Sequence, residues 1–161
     1  MTENTAATTA VPGPRDPAGA APGSTPPDRS GDHVKVTLPA EGAYLSVLRT
    51  ATAGLAARLD FTLDEIEDLR IAVDEACAML LAQAIPGTNL ECAFDLDSDH
   101  MSITVSVTAA EPQMPAKDTF AWTVLSALAG TVDSRLGPDD LVSIVLRKRR
   151  DAAGQDGPRS G

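Results

Sequence analysis

The chain has no run approaching the roughly 20 apolar residues that a helix needs to span a bilayer. Its start, Met1 to Ala10, has neither a basic cluster nor an apolar stretch, so it does not read as a secretory signal. Cysteine is scarce: Cys77 and Cys92 stand alone, in no CxxC pair and beside no metal-ligand set. Positive charge is also short, with 13 Lys and Arg against 23 Asp and Glu, a net charge of −10. Phosphate backbones repel so acidic a chain, which argues against direct nucleic-acid binding. Together these absences imply a soluble cytoplasmic protein with no membrane span and no metal site. A basic protein partner suits the charge, because opposite potentials speed encounter and fix orientation.

Large apolar side chains are missing from both ends. Val11 to Gly31 holds Pro12, Pro14, Pro17, Pro22, Pro26 and Pro27 among Gly, Ala, Ser and Asp. Such a stretch buries too little to offset the entropy of ordering its backbone. Residues 1–31 are therefore expected to be a disordered tail, and residues 151–161 likewise. Residues 32–150 remain as one domain, large enough for its own core.

Within that domain, Val34, Val36 and Leu38 alternate with Lys35 and Thr37, the pattern of a half-buried strand that Pro39 stops. Glu41 to Leu59 has helical spacing, with Leu45, Leu48, Ala51, Leu55 and Leu59 on one stripe. Thr52 is the one polar member of that stripe, and Arg49 lies beside it. Thr62 followed by Glu65 is a capping box, and Phe61 with Ile66 is placed as a hydrophobic staple. Ile66, Leu69, Val73, Ala76, Cys77 and Leu80 then make a core face, and Pro86-Gly87 ends the helical region. The acids crowded from Asp60 to Glu75 read as a solvated helix face.

Asn89–Asp97 and His100–Thr108 alternate and form a hairpin around Asp97-Ser98-Asp99. A loop from Ala109 to Ala116 follows, then a short helix capped by Asp118 or Thr119 and ended by Gly130. Val132–Leu136 and Leu141–Lys148 make a last hairpin around Gly137-Pro138-Asp139. The basic run Arg147 to Arg150 reads as a soluble edge. The order β-α-α-β-β-α-β-β predicts an α+β fold, a two-layer sandwich with helices over one face of a mostly antiparallel sheet.

The run Leu69-Arg70-Ile71-Ala72-Val73-Asp74-Glu75-Ala76-Cys77 is the most informative. At 100° per residue Glu75 shares a side with Asp68, Ile71, Met79 and Ala82, away from Val73 and Leu80. Composition alone makes Glu75 a solvated helical carboxylate. The run, its capped start and the gap-free spacing from Arg49 to Glu75 resemble the anti-sigma factors of the RsbW and SpoIIAB type. These form a branch of the GHKL superfamily, the histidine-kinase-like ATPases. The stretch Phe120 to Asp133 resembles the actinobacterial anti-sigma-F subgroup, and the likeness spans Val34 to Leu146.

The resemblance implies a function: binding and sequestering an alternative sigma factor until a STAS-domain anti-anti-sigma protein releases it. It also implies a homodimer, and it places Arg49 at the sigma contact. An ordinary surface ion pair is the other reading of Arg49. In kinase members the residue at Glu75 is the general base that helps transfer phosphate from ATP to a serine of the STAS partner. Their Mg²⁺-binding Asn falls on Met79, a poor ligand for a hard cation. Their glycine-bearing nucleotide loop falls on Ala109 to Pro115, which includes Glu111 and has no Gly or Asp. Their glycine-rich phosphate lid falls on Lys117 to Trp122, where Asp118 would repel phosphate and Phe120 and Trp122 would crowd it. The expectation is a degenerate nucleotide site at Met79, Glu111 and Asp118, with at most weak ATP or ADP binding. The alternative is an ATP-dependent serine kinase resting on Glu75.

Overall fold

The computed structural model describes residues 31–152. Of the proposed tails, 1–31 and 151–161, residues 1–30 and 153–161 lie outside the described residues. Strand β1 (Asp32–Pro39) leads through a 3-10 turn (Gly42–Tyr44) into α1 (Leu45–Arg58) and α2 (Leu63–Leu81). Then come β2 (Asn89–Leu96), β3 (His100–Thr108), α3 (Phe120–Ala129), β4 (Thr131–Leu136) and β5 (Leu141–Arg149). The strands form one sheet in the order β1-β2-β3-β5-β4, antiparallel at every pairing. The expected element order and two-layer α+β arrangement are therefore found. β5 lies between β3 and β4 because the chain spends α3 crossing over before it returns.

Register aligns the apolar residues of every strand on the helix side. One row runs Val34, Phe94, Ile103, Leu146, Val132, and the next runs Val36, Cys92, Val105, Ile144, Ser134. Phe94, Ile103, Val105, Ile144 and Leu146 are fully buried there. Each such side chain contributes about 1.5–3 kcal/mol from burial. Leu69, Val73, Ala76, Cys77 and Leu80 of α2 close the core from above. On the other face of the sheet small polar residues predominate, and the Ser106 and Ser143 hydroxyls hydrogen-bond at 2.8 Å across β3 and β5.

Two helix boundaries and one buried face differ from the sequence reading. The helix expected from Glu41 begins at Leu45, since Gly42 to Tyr44 wind as a 3-10 turn. Its deepest residues are Leu48, Thr52 and Ala56, a four-residue ladder of which Ala56 was not expected to be part. Thr52 is tolerated because its hydroxyl donates to the Leu48 carbonyl at 2.7 Å. α2 stops at Leu81, before Pro86-Gly87, because the next segment turns toward the sheet: Ala84 bridges Ala109, and the Ile85 N–H donates to Thr108 O at 2.9 Å.

The start of α2 follows the sequence closely. The Thr62 N–H donates to Glu65 Oε2 at 2.7 Å, and the Glu65 N–H donates to Thr62 Oγ1 at 3.3 Å. Glu65 departs from the expected solvated acidic face, being buried with only 4% of its surface exposed. Its second oxygen accepts the Asp151 N–H at 2.7 Å. The basic run at the end of β5 is likewise a clasp rather than a solvated edge. Lys148 donates to Leu128 O at 3.2 Å, Arg149 pairs with Asp99 at 2.8 Å, and Arg150 donates to Leu59 O at 2.9 Å. The Asp99 carboxyl is held below the usual range by its hydrogen bond with His100 and, after that, by Arg149.

Candidate functional site

A cleft of about 690 Å³ opens where the end of α2, the loop after β3 and the start of α3 meet. Its walls include Met79, Ala82 and Gln83 from the α2 side, Glu111, Met114 and Pro115 from the loop, and Thr119 and Ala121 at the start of α3. Thr119 is the N-cap, and its hydroxyl accepts from the Trp122 N–H at 3.2 Å. One side chain ties the loop to the end of α2. Gln83 donates through Nε2 to Gln113 O at 3.1 Å and accepts the Gln113 N–H at 3.0 Å. Replacing Gln83 with Ala is expected to loosen the loop by about 1 kcal/mol, the net value of a pair of exposed hydrogen bonds. Faster amide exchange at Gln113 with an unchanged core pattern is the readout.

Of the expected nucleotide-site residues, the structure brings Met79 and Glu111 to this cleft. Glu75 lies one turn earlier on α2, half-buried and outside the lining, and Asp118 is exposed just before the N-cap. The wall is mostly methyl, methylene and thioether surface. Glu111 is its one charged residue, and no Gly, Lys or Arg is part of it. The nearby cation, Lys117, is engaged: its Nζ is 3.7 Å from Asp133 and 5.5 Å from the centre of the Trp122 ring.

Arg49 stands apart from the cleft, on the junction of α1 and α2. Its Nη1 donates to Asp74 Oδ2 at 3.0 Å. Asp74 was not singled out as its partner, because the two are 25 positions apart and only the packing of α1 on α2 brings them together. The other Asp74 oxygen, Oδ1, is buried without a hydrogen-bond partner. So is Nε of Arg70, one turn earlier, whose Nη1 pairs with Glu67.

The thiols lie in the core. Burial first, and then the Asp74 charge, pushes the Cys77 thiol up to about 12. Burial and then Cys77 push Cys92 up further. Both should stay unreactive toward an aqueous disulfide reagent near neutral pH, since attack needs the thiolate. A titration of two thiols only after denaturant is added is the expected result. Each histidine meets a carboxylate: Nδ1 of His33 lies 2.6 Å from Asp95, and Nδ1 of His100 lies 3.1 Å from Asp99. Pairing of β1 with β2 brings His33 to Asp95 from 62 positions away, whereas Asp99 directly precedes His100. Among the described residues no group of three or more His, Cys, Asp or Glu is placed to hold a metal ion, and no helix is long and apolar enough to cross a membrane.

Known proteins resemble the chain in sequence and in fold. The anti-sigma-F factor RsbW of Mycobacterium tuberculosis is 32% identical over 101 residues, covering 63% of this chain and 60% of that protein. Two proteins named serine-protein kinase RsbW are also similar. That of Halalkalibacterium halodurans is 38% identical over 74 residues, 45% of this chain and 46% of its own length. That of Bacillus subtilis is 42% identical over 53 residues, 33% of each chain. The chain thus spans less than two thirds of the curated relatives it matches. A crystal structure of the RsbU and RsbW domains of a Mycobacterium tuberculosis protein superposes with a TM-score of 0.58 at 14% identity, over 74% of this chain and 33% of that one. No protein-family model matches.

Proposed function

We propose that the chain, which is similar to anti-sigma-F factor RsbW and to serine-protein kinases RsbW, acts as an anti-sigma factor by protein–protein binding alone. It sequesters an alternative sigma factor in the cytoplasm as a homodimer, and a STAS-domain anti-anti-sigma protein displaces it. The observation that carries this reading is a cleft whose wall is apolar with a single carboxylate. Magnesium nucleotide needs backbone N–H groups that approach phosphate closely, cations, and oxygen ligands for the metal. Met79 offers sulfur, Glu111 and Asp118 offer repulsion, and the loop offers side chains where a cradle needs Gly. The residues present do not fit the family's nucleotide.

In this reading Arg49, where the resemblance puts the sigma contact, meets the partner. The net charge of −10 favours encounter with a basic partner surface. The test is co-expression of the full chain with each alternative sigma factor of its own genome, followed by size exclusion. A stable complex that dissolves when a STAS protein of that genome is added is expected. If every sigma factor elutes free, the proposal fails.

A serine kinase acting on the STAS partner is the second reading. Two facts favour it: several relatives carry the name serine-protein kinase RsbW, and Glu75 stands on α2 one turn from the cleft.

A further inference from the structure

The cleft at the end of α2 is shaped in advance by its own polar side chains. Gln83 commits both ends of its amide to the Gln113 backbone, at 3.1 and 3.0 Å. The Thr119 hydroxyl donates to Ala116 O at 3.1 Å and accepts from the Trp122 N–H at 3.2 Å. These bonds hold the walls and leave little polar capacity for the space between them. Glu111 is the exception. It lines the cleft and is exposed, and among the described residues no Lys, Arg or His comes within ion-pair distance of it. Lys117, the cation nearest by sequence, pairs with Asp133 instead.

The rest of the wall is soft and apolar. It presents the thioethers of Met79 and Met114, the ring of Pro115 and the methyl groups of Ala82, Ala116 and Ala121. Methionine is flexible and polarisable, so two of them can close on a ring or a branched chain. Small-molecule sites enclose about 300–1,000 Å³ and combine an apolar wall with a few fixed polar groups. This cleft, at about 690 Å³, has that size and that make-up.

We infer that the cleft binds a small organic cation, with an apolar body of one or two rings between the methionines and an ammonium or guanidinium head on Glu111. The single unpaired carboxylate sets the sign of the head: a neutral ligand leaves it without a partner, and an anion is repelled by it. The net charge of −10 adds a field that draws cations toward the chain. Walls already held in place lower the ordering cost of binding. The site goes beyond the anti-sigma reading and does not depend on it, since a chain that captured no sigma factor would still hold the same cleft.

Isotope labelling of the methionine methyl groups, read by NMR on the full chain, tests this directly. The chain has four Met. Met79 and Met114 line the cleft, and Met101, fully buried on β3, reports any general disturbance of the core. Naphthylethylamine is the probe, with naphthylethanol and naphthylacetate as its neutral and anionic counterparts. The amine should shift the Met79 and Met114 signals saturably, reaching half of the change at about 1 mM or below, and leave Met101 in place. The alcohol should bind at least about threefold more weakly, the gain expected from one part-exposed ion pair. Glu111→Gln should erase that preference. Ala82→Trp, which fills the cleft from an exposed position, should abolish the shifts caused by both ligands. Equal affinity of amine and alcohol in the wild type would overturn the proposal. So would tighter binding of naphthylacetate or ATP than of the amine, shifts that never saturate, or movement of Met101 along with the other two.

Discussion

Replacing Glu65 with Ala should lower stability by about 3 kcal/mol, a loss unusual for a glutamate near a helix start. Ordinary first-turn acids interact with the helix dipole in water for about 0.3–1 kcal/mol. Glu65 is buried, and each of its oxygens takes a backbone N–H, from Thr62 at 2.7 Å and from Asp151 at 2.7 Å. Hydrogen bonds to a charged group contribute about 1.5–3 kcal/mol each, and removing the acceptor leaves two donors short of a partner. Burial by itself would raise this carboxyl's pKa, but the Asp151 N–H and then the Thr62 groups outweigh it and hold the value below 4.5. A depressed folded-state pKa gives stability that is present above the unfolded value and lost as pH falls through the folded one. Wild type should therefore lose stability below 4.5 faster than Glu65→Gln, which carries no such proton. Urea unfolding at neutral pH and at about pH 3.5 measures both effects. Equal pH slopes in the two proteins would remove the carboxylate from this role. The variant should also free the chain end, seen as rapid exchange of the Asp151 amide.

Half of the Glu65 site was legible in the sequence. Thr62 and Glu65 announce a capping box because the interaction is local, spanning three residues and requiring only those types. The strands were legible for a similar reason: alternation such as Met101, Ile103, Val105, Val107 reports a buried face directly. What joins distant segments carried no such signal. Asp151 reaches Glu65 across 86 positions and Arg150 reaches Leu59 across 91, so the basic run looked like a solvated edge. Asp74 reaches Arg49 only through helix packing. The extra 3-10 turn at Gly42 to Tyr44 escaped because a 3-10 turn and the first turn of an α-helix share their spacing. The cleft was half legible: Met79 and Glu111, singled out in the sequence, both line it, while Gln83, which holds its loop to the α2 end, follows α2 where no periodic pattern points to it.

Mixing the chain with ATP, Mg²⁺ and the proposed STAS partner should leave that protein unphosphorylated, and Glu75→Ala should change nothing. Phosphoryl transfer has little covalent chemistry for a protein to perform, so its rate comes from positioning and from charge neutralisation by metal and cations. On the proposed reading the cleft furnishes neither. The cleft wall holds one charged residue, Glu111, whose sign opposes that of a triphosphate. Two like charges about 4 Å apart at an effective dielectric of about 20 repel by about 4 kcal/mol, close to a thousandfold in binding. Lys117, the cation nearest by sequence, is held by Asp133 and the face of Trp122. A base at Glu75 cannot compensate, because general-base catalysis supplies only about 10²–10⁴ of a rate that needs a bound, oriented nucleotide first. Calorimetry with ATP and with ADP should accordingly show no heat at concentrations up to about 1 mM, the affinity below which a site no longer competes for cellular nucleotide. Transfer of labelled phosphate that disappears in Glu75→Ala would establish the kinase reading instead. The same assay run with the sigma factor present closes the remaining route. If partner release is governed by protein competition alone, the STAS protein should displace sigma equally well with ATP, with ADP and with neither.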